Sequence, residues 1–436
     1  MKHLFTLLIV AVLPAIATAQ SVTIPADLYE EAEYYRMNED YTEALPLYQR
    51  LLGMGYNHEQ MHYLIGRTSL NINGQESRAL HHLRKARVNL GENVHLGGGL
   101  DKPKAPKDAL FYLGKAFQVH NKLDSALTYY NLFLESIKNK KAYNLAFVDR
   151  QIASARTAKK LLNNPVDITR ENIGPPVNDA FPNSRPVVNE AETRMVYTSE
   201  LKFYDAVFMA EKDSSGWGEP FNLAPQIRSE GSLYPCDMNA AGDKLVLFRK
   251  ERSRGDLYIS KYDSTQGEWQ EPQEPEGDIN SRFWETHGCI GPGGNTLYFT
   301  SNRRGGYGRL DIYVSYYNYR KGEWGEPRNL GDSINTRFNE ATPFISSDGQ
   351  YLFFSSQGHE GMGGFDIFRS KKKADGSWSE PVNLGYPINT TNDDRFFHPV
   401  KNGKAGYISR FNREGGGGQD IFRLSIPSDT PKSTDR

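Results

Sequence analysis

Apolar residues in the first third of the chain recur with the spacing of helices. Between residue 24 and about residue 136 the pattern repeats with a period of roughly 34 residues, as expected for stacked helical hairpins. The first unit places apolar or small residues at Leu28, Ala32, Tyr35, Ala44, Tyr48 and Leu51. The third unit repeats the same positions with Leu110, Gly114, Phe117, Ala126, Tyr130 and Phe133. Small residues allow two antiparallel helices to cross closely, so the pattern predicts a helical solenoid.

The second unit is less regular, with Ile65, Gly66, Ala79, Leu83 and Ala86 at the matching positions. The three units together resemble the tetratricopeptide (TPR) repeat over roughly 110 residues. The Gly- and Pro-rich segment from 91 to 106 is predicted to be a loop. Residues 144 to 163 are predicted to form a capping helix, which ends at Asn163, Asn164 and Pro165.

From residue 166 the periodicity changes to alternating strands with a repeat of 51 to 55 residues. Each repeat has an aspartate at the start of a strand: Asp205, Asp256, Asp311, Asp366 and Asp420. Four of these strands are followed by a tryptophan and a Glu-Pro pair, the tryptophans being Trp217, Trp269, Trp324 and Trp378. Two further strands joined by Asp-Gly or Gly-Asn turns precede most aspartates. Each repeat is therefore predicted to be a four-stranded propeller blade.

The last repeat lacks a fourth strand, whereas residues 172 to 178 match the outer strand of the preceding blade, residues 383 to 389. Ring closure by a shared strand would hide both sheet edges. The sequence therefore predicts a two-domain protein, α followed by all-β, with a five-bladed β-propeller closed by strand 172 to 178. The predicted segments are a signal peptide (1–19), a helical domain (24–164), a propeller (166–428) and a polar tail (429–436).

The N-terminus has the features of a secretory signal peptide: Lys2, an apolar run from Leu4 to Leu13, and Ala17-Thr18-Ala19 before the cleavage site. The residue directly after that site is Gln20 and not a cysteine, so lipid attachment is not expected. No later stretch approaches the roughly 18 to 20 apolar residues of a membrane helix. We therefore expect an exported protein that is periplasmic or associated with the outer membrane, is not lipidated and is not inserted directly into a membrane.

Composition narrows the classes of partner. The formal net charge is −1 and no basic cluster is present, so nucleic acid is not an expected partner. Cys236 and Cys289 are the only cysteines, and they lie at matching places of adjacent predicted blades. Inner strands of neighbouring blades are usually too far apart for a disulfide, although a bond between these two residues remains an alternative.

The strand repeats resemble the WD40-like (PD40-type) propeller repeats found beside OmpA-type domains in envelope proteins of Bacteroidetes. The order of TPR and propeller resembles the front half of a family of type IX secretion-associated proteins. That resemblance implies an envelope or outer-membrane role. The chain has no OmpA-type domain after Ile426, so peptidoglycan binding is not carried over and a secretion role is in doubt.

The repeated polar residues indicate a structural role and not a catalytic one. An aspartate at the same place in every blade is expected to accept backbone hydrogen bonds at the preceding bend, and one tryptophan per blade is expected to pack between blades. Glycine-rich stretches lack the lysine of a phosphate-binding loop. We therefore predict no catalytic residue, no metal and no cofactor.

One aligned position of the predicted blades differs in residue type from blade to blade, whereas a residue with a purely structural role would be expected to repeat. Alignment of the first strands superposes Arg185, Tyr234, His287, Thr342 and His398, with Glu285 and Glu340 nearby. Since the first strand of a blade lines the central channel, these residues are candidates for a small-ligand or peptide site at the channel mouth. A metal site and ordinary channel-lining residues are the alternatives.

In the helical repeats, positions 5 and 9 face the concave groove of a TPR array. They are occupied by Tyr29, Glu33, Tyr63, Arg67, Phe111 and Lys115, with Arg36 adding charge beside them. This set suits an extended protein segment or the apolar face of a helix. The alternative is that these aromatics only cover the groove against the loop from 91 to 106.

Taken together, these features predict an exported, non-enzymatic adaptor that binds envelope proteins. The alternative is a propeller that binds or hydrolyses a glycan or small ligand at its channel mouth.

Overall fold

The computed structural model describes residues 25–91, 100, 102–250, 254–416 and 418–426. The predicted signal peptide (1–19) and polar tail (429–436) lie outside these residues. In the described part of the chain, no helix has both the length and the apolar character needed to cross a membrane.

Seven α-helices, α1 to α7, form the N-terminal domain. Their bounds are Pro25–Met37, Tyr41–Gly53, Glu59–Ser69, Glu76–Ala86, Asp108–Val119, Leu123–Ser136 and Leu145–Asn163. The small residues predicted at the helix crossings are buried there. A Cβ on Gly66 would lie 2.6 Å from the side chain of Leu83, and one on Gly114 would lie 2.7 Å from Tyr130. Close packing of these antiparallel pairs therefore requires glycine at both positions.

Five antiparallel sheets follow, which confirms the five-bladed propeller. The inner strands are Asn183–Val188, Leu233–Met238, Glu285–Ile290, Glu340–Ile345 and His398–Val400. The second strands are Arg194–Glu200, Lys244–Lys250, Thr296–Ser301, Tyr351–Ser356 and Ala405–Phe411. The third strands are Asp205–Asp213, Gly255–Asp263, Asp311–Asn318, Asp366–Lys371 and Gln419–Ser425.

The outer strands are short. They are Gly216–Trp217 and Phe221–Asn222 in blade 1, Glu268–Trp269 in blade 2, Glu323–Trp324 and Arg328–Asn329 in blade 3, and Val382–Asn383 in blade 4. The outer strand of blade 5 is Thr169–Asn172. A two-residue parallel pair, Leu90–Gly91 with Ala105–Pro106, closes the base of the helical-domain loop.

Ring closure occurs, but the paired strand lies earlier than the predicted 172 to 178. Thr169 to Asn172 pair with Ser425 to Phe422, and only Asn172 falls in the predicted range. The residues after it turn inward. The side chain of Asn178 then donates to the carbonyl of Ile421 and accepts its N–H, at 2.9 and 2.8 Å. Asn335 and Asn389 make the same pair of bonds in blades 3 and 4, so the matching spacing reflected this side-chain contact and not a strand.

The repeated aspartates and tryptophans have structural contacts. Asp311 accepts the N–H groups of Tyr307 and Gly308 at the preceding bend, and Asp366 accepts those of Met362 and Gly363. Asp205 and Asp420 accept hydrogen bonds from side chains instead.

The tryptophans pack against the preceding blade. Trp269 donates to the sulfur of Met209 in blade 1, and Trp217 contacts Tyr407 of blade 5 across the closure. Trp378 contacts Tyr298 of blade 3. The predicted role of these side chains between blades is therefore confirmed for the three contacts.

Helix α7 joins the two domains. The sequence predicted a cap for the helical repeats, but one face of α7 packs on blade 4. Arg150 donates to the backbone carbonyls of Gln357 and His359, and Ser154 donates to that of Gly363 at 2.8 Å. Because these bonds reach a loop between the second and third strands, the helical domain lies against the end of the propeller where those loops are found.

Both cysteines are buried and free. The backbone N–H of Ile345 donates to the sulfur of Cys289, and Cys236 contacts the carbonyl of Thr286. The strand register pairs Cys289 with Tyr298, as it pairs Asp237 with Val246 in blade 2. Cys289 therefore corresponds to Asp237 and not to Cys236, so the disulfide is not formed.

Candidate functional site

Three of the five predicted channel-mouth residues meet at the beginning of the inner strands. The guanidinium of Arg185 lies 4.7 Å from the ring centre of Tyr234 and 4.5 Å from that of Phe396. His287 stands against the other side of Phe396, with ring centres 5.2 Å apart. We call Arg185, Tyr234, His287 and Phe396 the cation-aromatic cluster. Its side chains converge at this end of the channel, which we call the strand-start end.

Burial disfavours charge in this cluster, and Nη1 of Arg185 and Nε2 of His287 have no hydrogen-bond partner among the described residues. Burial lowers the pKa of Arg185 and holds the pKa of His287 well below its usual range. The neighbouring charge of Arg185 lowers the pKa of His287 further. The cation is stabilised by ring faces on two sides, which is a favourable arrangement for a partly desolvated guanidinium. The hydroxyl of Tyr234 is occupied as well, since it donates to Asp205 at 3.0 Å.

Thr342 and His398 do not join the cluster. Thr342 is buried, and its hydroxyl is hydrogen-bonded to that of Ser355 at 2.8 Å. His398 lies farther along the channel. The alignment is therefore wrong at His398, because Phe396 occupies the equivalent place in blade 5. It is also one residue out at Tyr234, because the correspondence of Asp237 with Cys289 makes Pro235 the counterpart of His287.

A buried carboxylate establishes the correct register. Glu285, Glu340 and Asp394 each accept the backbone N–H and the hydroxyl of the serine or threonine four residues earlier. Two residues after these acids come His287, Thr342 and Phe396. Thr342 and Phe396 also share positive φ values of 49° and 57°. The Ser/Thr-x-x-x-Glu/Asp spacing could have identified this register from the sequence, but blade 5 uses Asp where blades 3 and 4 use Glu.

The opposite end of the channel, where inner and second strands are joined by hairpins, is open. It contains a recess of about 310 Å³, which we call the hairpin-end recess. The apolar residues that line it are Val188, Met238, Ile290, Phe344, Ile345 and Pro399. The hairpin of blade 3 in this region is Gly291-Pro292-Gly293-Gly294, and the absence of side chains on three of these residues leaves the space open.

Asp237 and His398 are buried polar residues of the recess, 5% and 4% exposed, and Ser346 is buried there as well. Asp237 accepts the backbone N–H of Ile290 at 2.9 Å through Oδ2. His398 Nε2 lies 2.6 Å from the carbonyl oxygen of Val188, and since a carbonyl only accepts, Nε2 carries the proton. In the neutral ring Nδ1 is then an acceptor. It has no hydrogen-bond partner among the described residues and lies 3.9 Å from Oδ1 of Asp237.

Burial shifts both groups away from their charged forms. It raises the pKa of Asp237 to about 7 and lowers the pKa of His398 to about 4. Around neutral pH the histidine is therefore neutral while the carboxyl is close to its midpoint. Nowhere in the described residues do three or more His, Cys, Asp or Glu side chains form a group that would hold a metal ion. The recess therefore offers a pair of hydrogen-bond acceptors inside an apolar wall.

The predicted groove residues of the helical domain are mostly buried. Glu33 and Arg36 form a bidentate ion pair, with the shorter contact at 2.6 Å, and Tyr48 donates to the same carboxylate. Tyr29 is buried beside them. Tyr63 is 2% exposed and accepts a hydrogen bond from Arg67 at 3.3 Å.

Phe111 and Lys115 show why the groove is not free. Phe111 packs among Tyr130, Phe133 and Phe147 in the helical core. Lys115 is partly buried next to the propeller. Burial lowers its pKa, and the negative charge of Asp393 offsets only part of that shift. The interpretation of these residues as exposed anchors is therefore wrong for Tyr63 and Phe111. The sequence could not reveal this, because α7 and the propeller cover the groove through contacts distant in sequence.

Sequence reasoning missed an exposed group of aromatic side chains on blade 1. Phe203 is 86% exposed, and Phe181 and Tyr204 are exposed beside it. A backbone bond from Glu200 to the carbonyl of Pro182 joins their two loops. We call these three residues the aromatic patch. The signal was the Lys-Phe-Tyr sequence at 202 to 204, where blades 3, 4 and 5 have glycine-rich loops.

The sequence matches no protein-family model and no curated protein. Solved structures give only distant likenesses. TolB from Acinetobacter baumannii aligns at 15% identity with a TM-score of 0.38, over 57% of this chain and 55% of that chain. This chain thus spans only about half of that TolB.

Two enzymes align equally well. A GH62 α-L-arabinofuranosidase catalytic domain from Coprinopsis cinerea gives 11% identity and a TM-score of 0.40, over 59% of this chain and 95% of that chain. An aldose sugar dehydrogenase from Streptomyces coelicolor gives 11% and 0.31, over 60% and 99%. Likeness at this level supports no choice among these functions.

Proposed function

We propose that the protein is an exported, non-enzymatic adaptor that binds protein partners of the cell envelope. The observation that carries the proposal is the aromatic patch on blade 1, formed by Phe181, Phe203 and Tyr204. Aromatic side chains supply much of the binding energy in protein interfaces when a partner covers them. An 86% exposed phenylalanine next to two further aromatics is therefore a suitable anchor.

A second exposed surface lies on the helical domain. Tyr34 and Met37 of helix α1 are 65% and 61% exposed. They replace the concave groove as the proposed contact of the TPR-like repeats, because Tyr63 and Phe111 are buried. The bonds of Arg150 and Ser154 to blade 4 fix the two domains together, and an adaptor needs its two surfaces in a fixed arrangement.

The identity of the partner follows only from the resemblance of the repeats. PD40-type propellers beside TPR repeats suggest an outer-membrane or type IX secretion complex, and the predicted signal peptide is consistent with that compartment. The glycan-binding alternative keeps one supporting observation, the hairpin-end recess. It would require a set of polar groups for sugar hydroxyls, and the lining of the recess includes Glu190, Asn239, Ser346 and Ser347 beside its apolar residues.

Crosslinking in the native envelope, read out by mass spectrometry, tests the proposal. The double variant Phe203→Ser and Tyr204→Ser should reduce the yield of a specific crosslinked partner by about tenfold or more, as expected for the loss of two aromatic anchors. Tyr319→Ser is the matched control, since Tyr319 is 72% exposed on the outer part of blade 3. Equal yields from both variants and the wild type would remove the aromatic patch as the binding surface.

A further inference from the structure

The hairpin-end recess contains two acceptors that no protein group bridges. Oδ1 of Asp237 and Nδ1 of His398 are 3.9 Å apart, which exceeds hydrogen-bond distance. Nδ1 has no partner in the described residues although its side chain is 4% exposed. A buried polar atom without a partner is unfavourable, so a bound group that donates to both atoms would stabilise this arrangement.

The number of donors narrows the chemistry of that group. A hydroxyl has one proton and can satisfy only one of the two acceptors. A primary ammonium has three N–H donors and can reach Oδ1 and Nδ1 at once. A metal ion would find only two protein ligands here, fewer than the four that a closed zinc site requires.

The charge around the recess favours a cation as well. Asp237 lies inside, and Glu190 and Asp243 are on the surrounding hairpins, against the single amine of Lys244. His398 adds no charge near neutral pH because burial lowers its pKa to about 4. The ring of Phe344 stands edge-on to His398 with centres 5.0 Å apart, so an aromatic surface borders the place where the cation would lie.

The apolar residues that line the recess indicate the chemistry of the part of the ligand that does not carry the ammonium. Val188, Met238, Ile290 and Pro399 present apolar surface to a volume of about 310 Å³. That volume is at the lower end of the range of small-molecule pockets, roughly 300 to 1,000 Å³. We propose that the hairpin-end recess binds a small primary ammonium compound with an apolar body, held by Asp237 and His398. This site is independent of the aromatic patch and of the adaptor function.

The site carries a pH signature. The ammonium binds the ionised carboxylate, and burial raises the pKa of Asp237 to about 7 in the free protein. Affinity therefore falls by about tenfold for each unit of pH below that value, because a proton must first leave Asp237. The other charged groups that line the recess are Glu190, Asp243 and Lys244.

Calorimetric titration of the full chain with benzylammonium, benzyl alcohol and benzoate tests the inference. At pH 8 benzylammonium should bind at least about tenfold more tightly than the isosteric alcohol, since charge-assisted hydrogen bonds are roughly twice as strong as neutral ones. Benzoate should not bind. Asp237→Asn keeps the shape of the side chain and an acceptor for Ile290, and it should weaken benzylammonium by about tenfold or more.

Asp332→Asn is the matched control, an exposed carboxylate outside the recess whose loss should change affinity by less than about twofold. Wild-type titrations at pH 6 and pH 8 keep the test valid if Asp237→Asn does not fold. The inference is overturned if benzylammonium does not bind at ~10 mM, a concentration that detects even weak association. It is also overturned if the alcohol binds as well as the ammonium, if Asp237→Asn binds like the wild type, or if affinity does not change between the two pH values.

Discussion

The two ends of the propeller channel are built from the same five inner strands, yet one is filled and the other is open. At the strand-start end, Arg185 lies between the rings of Tyr234 and Phe396, and the helical domain covers the adjacent loops of blades 4 and 5. At the hairpin end, glycines of blade 3 leave a recess around Asp237 and His398. Position on a channel-lining strand therefore does not make a site. The size of the side chains that meet there decides whether space remains.

The hairpin end is open but is also where the ring is held closed. Glu192, in the first hairpin of blade 1, accepts hydrogen bonds from Tyr407 and Arg423 and forms an ion pair with Lys401, all in blade 5. Burial alone would raise the pKa of Glu192, but the hydrogen bonds from its three partners lower it to about 2. Its contribution to stability is thus present above the ordinary pKa of 4.5 and is lost as the pH falls toward 2.

The largest effect is expected from removing this carboxylate. Glu192→Ala should lower the free energy of unfolding by about 3 kcal/mol, because it leaves partly buried cations without their partner. Urea unfolding at pH 7 measures the change. Glu190→Ala, in the same hairpin, is the control and should change stability by less than about 0.5 kcal/mol. Equal losses in the two variants would mean that Glu192 adds nothing to the other contacts between blades 1 and 5, which include Trp217 with Tyr407 and His398 with Val188.

The second prediction concerns Asp237, whose removal should raise stability where the removal of Glu192 lowers it. Burial raises the pKa of Asp237 to about 7, so the folded protein binds this proton more tightly than the unfolded chain does. The stability contributed by Asp237 is therefore greatest below its ordinary pKa of 3.8 and is lost as the pH rises through 7. Asp237→Asn should raise the free energy of unfolding by about 2 kcal/mol at pH 8.

At pH 4 the same variant and the wild type should differ little. Denaturant unfolding at both pH values gives the comparison. A gain in stability at pH 8 is the expected behaviour of a buried charge retained for binding, since functional groups often reduce stability. Destabilisation at pH 8 would show that Asp237 serves the fold of the hairpin end.

A smaller effect is expected where the helical domain meets the propeller. Arg150→Ala removes the hydrogen bonds to the carbonyls of Gln357 and His359 and should lower stability by about 1.5 kcal/mol. Amide hydrogen exchange in residues 357 to 363 should become faster. Arg156→Ala, exposed on the same helix, is the control. Unchanged exchange in both variants would mean that the domain contact does not hold this loop.

The smallest effect is predicted for a replacement at the strand-start end that conserves side-chain length. Arg185→Met keeps the length of the side chain between the two rings and should change stability by less than about 1 kcal/mol, because buried charges are often replaceable by apolar groups. Arg185→Ala should be worse by about 2 kcal/mol through lost packing. Thermal unfolding of the two variants distinguishes packing from charge. A large loss in Arg185→Met would indicate that the cation itself is needed.

Much of the architecture could be predicted from the sequence because it repeats. The aspartates at the start of the third strands, the tryptophans and the three-stranded last blade determine five blades and a closing strand. The register of blade 5 could not be obtained in the same way. Its inner strand, His398–Val400, is short, and its buried acid is Asp394 in place of glutamate, so His398 was aligned two residues away from its true place.

The burial of the groove residues in the helical domain could not be predicted for a different reason. Tyr63 and Phe111 occupy positions that face a groove in a TPR repeat, and nothing local in their sequence indicates burial. They are covered by packing between elements that are distant in the chain, such as that of Phe111 with Phe147 of α7. The aromatic patch was missed because single exposed aromatics are common, and only the structure joins the loop of Phe181 to the loop of Phe203 and Tyr204, through the backbone bond from Glu200 to Pro182.

The central claim is that the channel is closed at the strand-start end and binds a cation at the hairpin end. Histidine ring NMR of the full chain measures both ends at once, because His287 lies in the cation-aromatic cluster and His398 in the recess. Addition of benzylammonium at pH 8 should shift the ring signals of His398, identified with a His398→Asn variant, and leave those of His287 unchanged. A shift of His287 alone, or no shift of His398 at saturating ligand, would contradict the account.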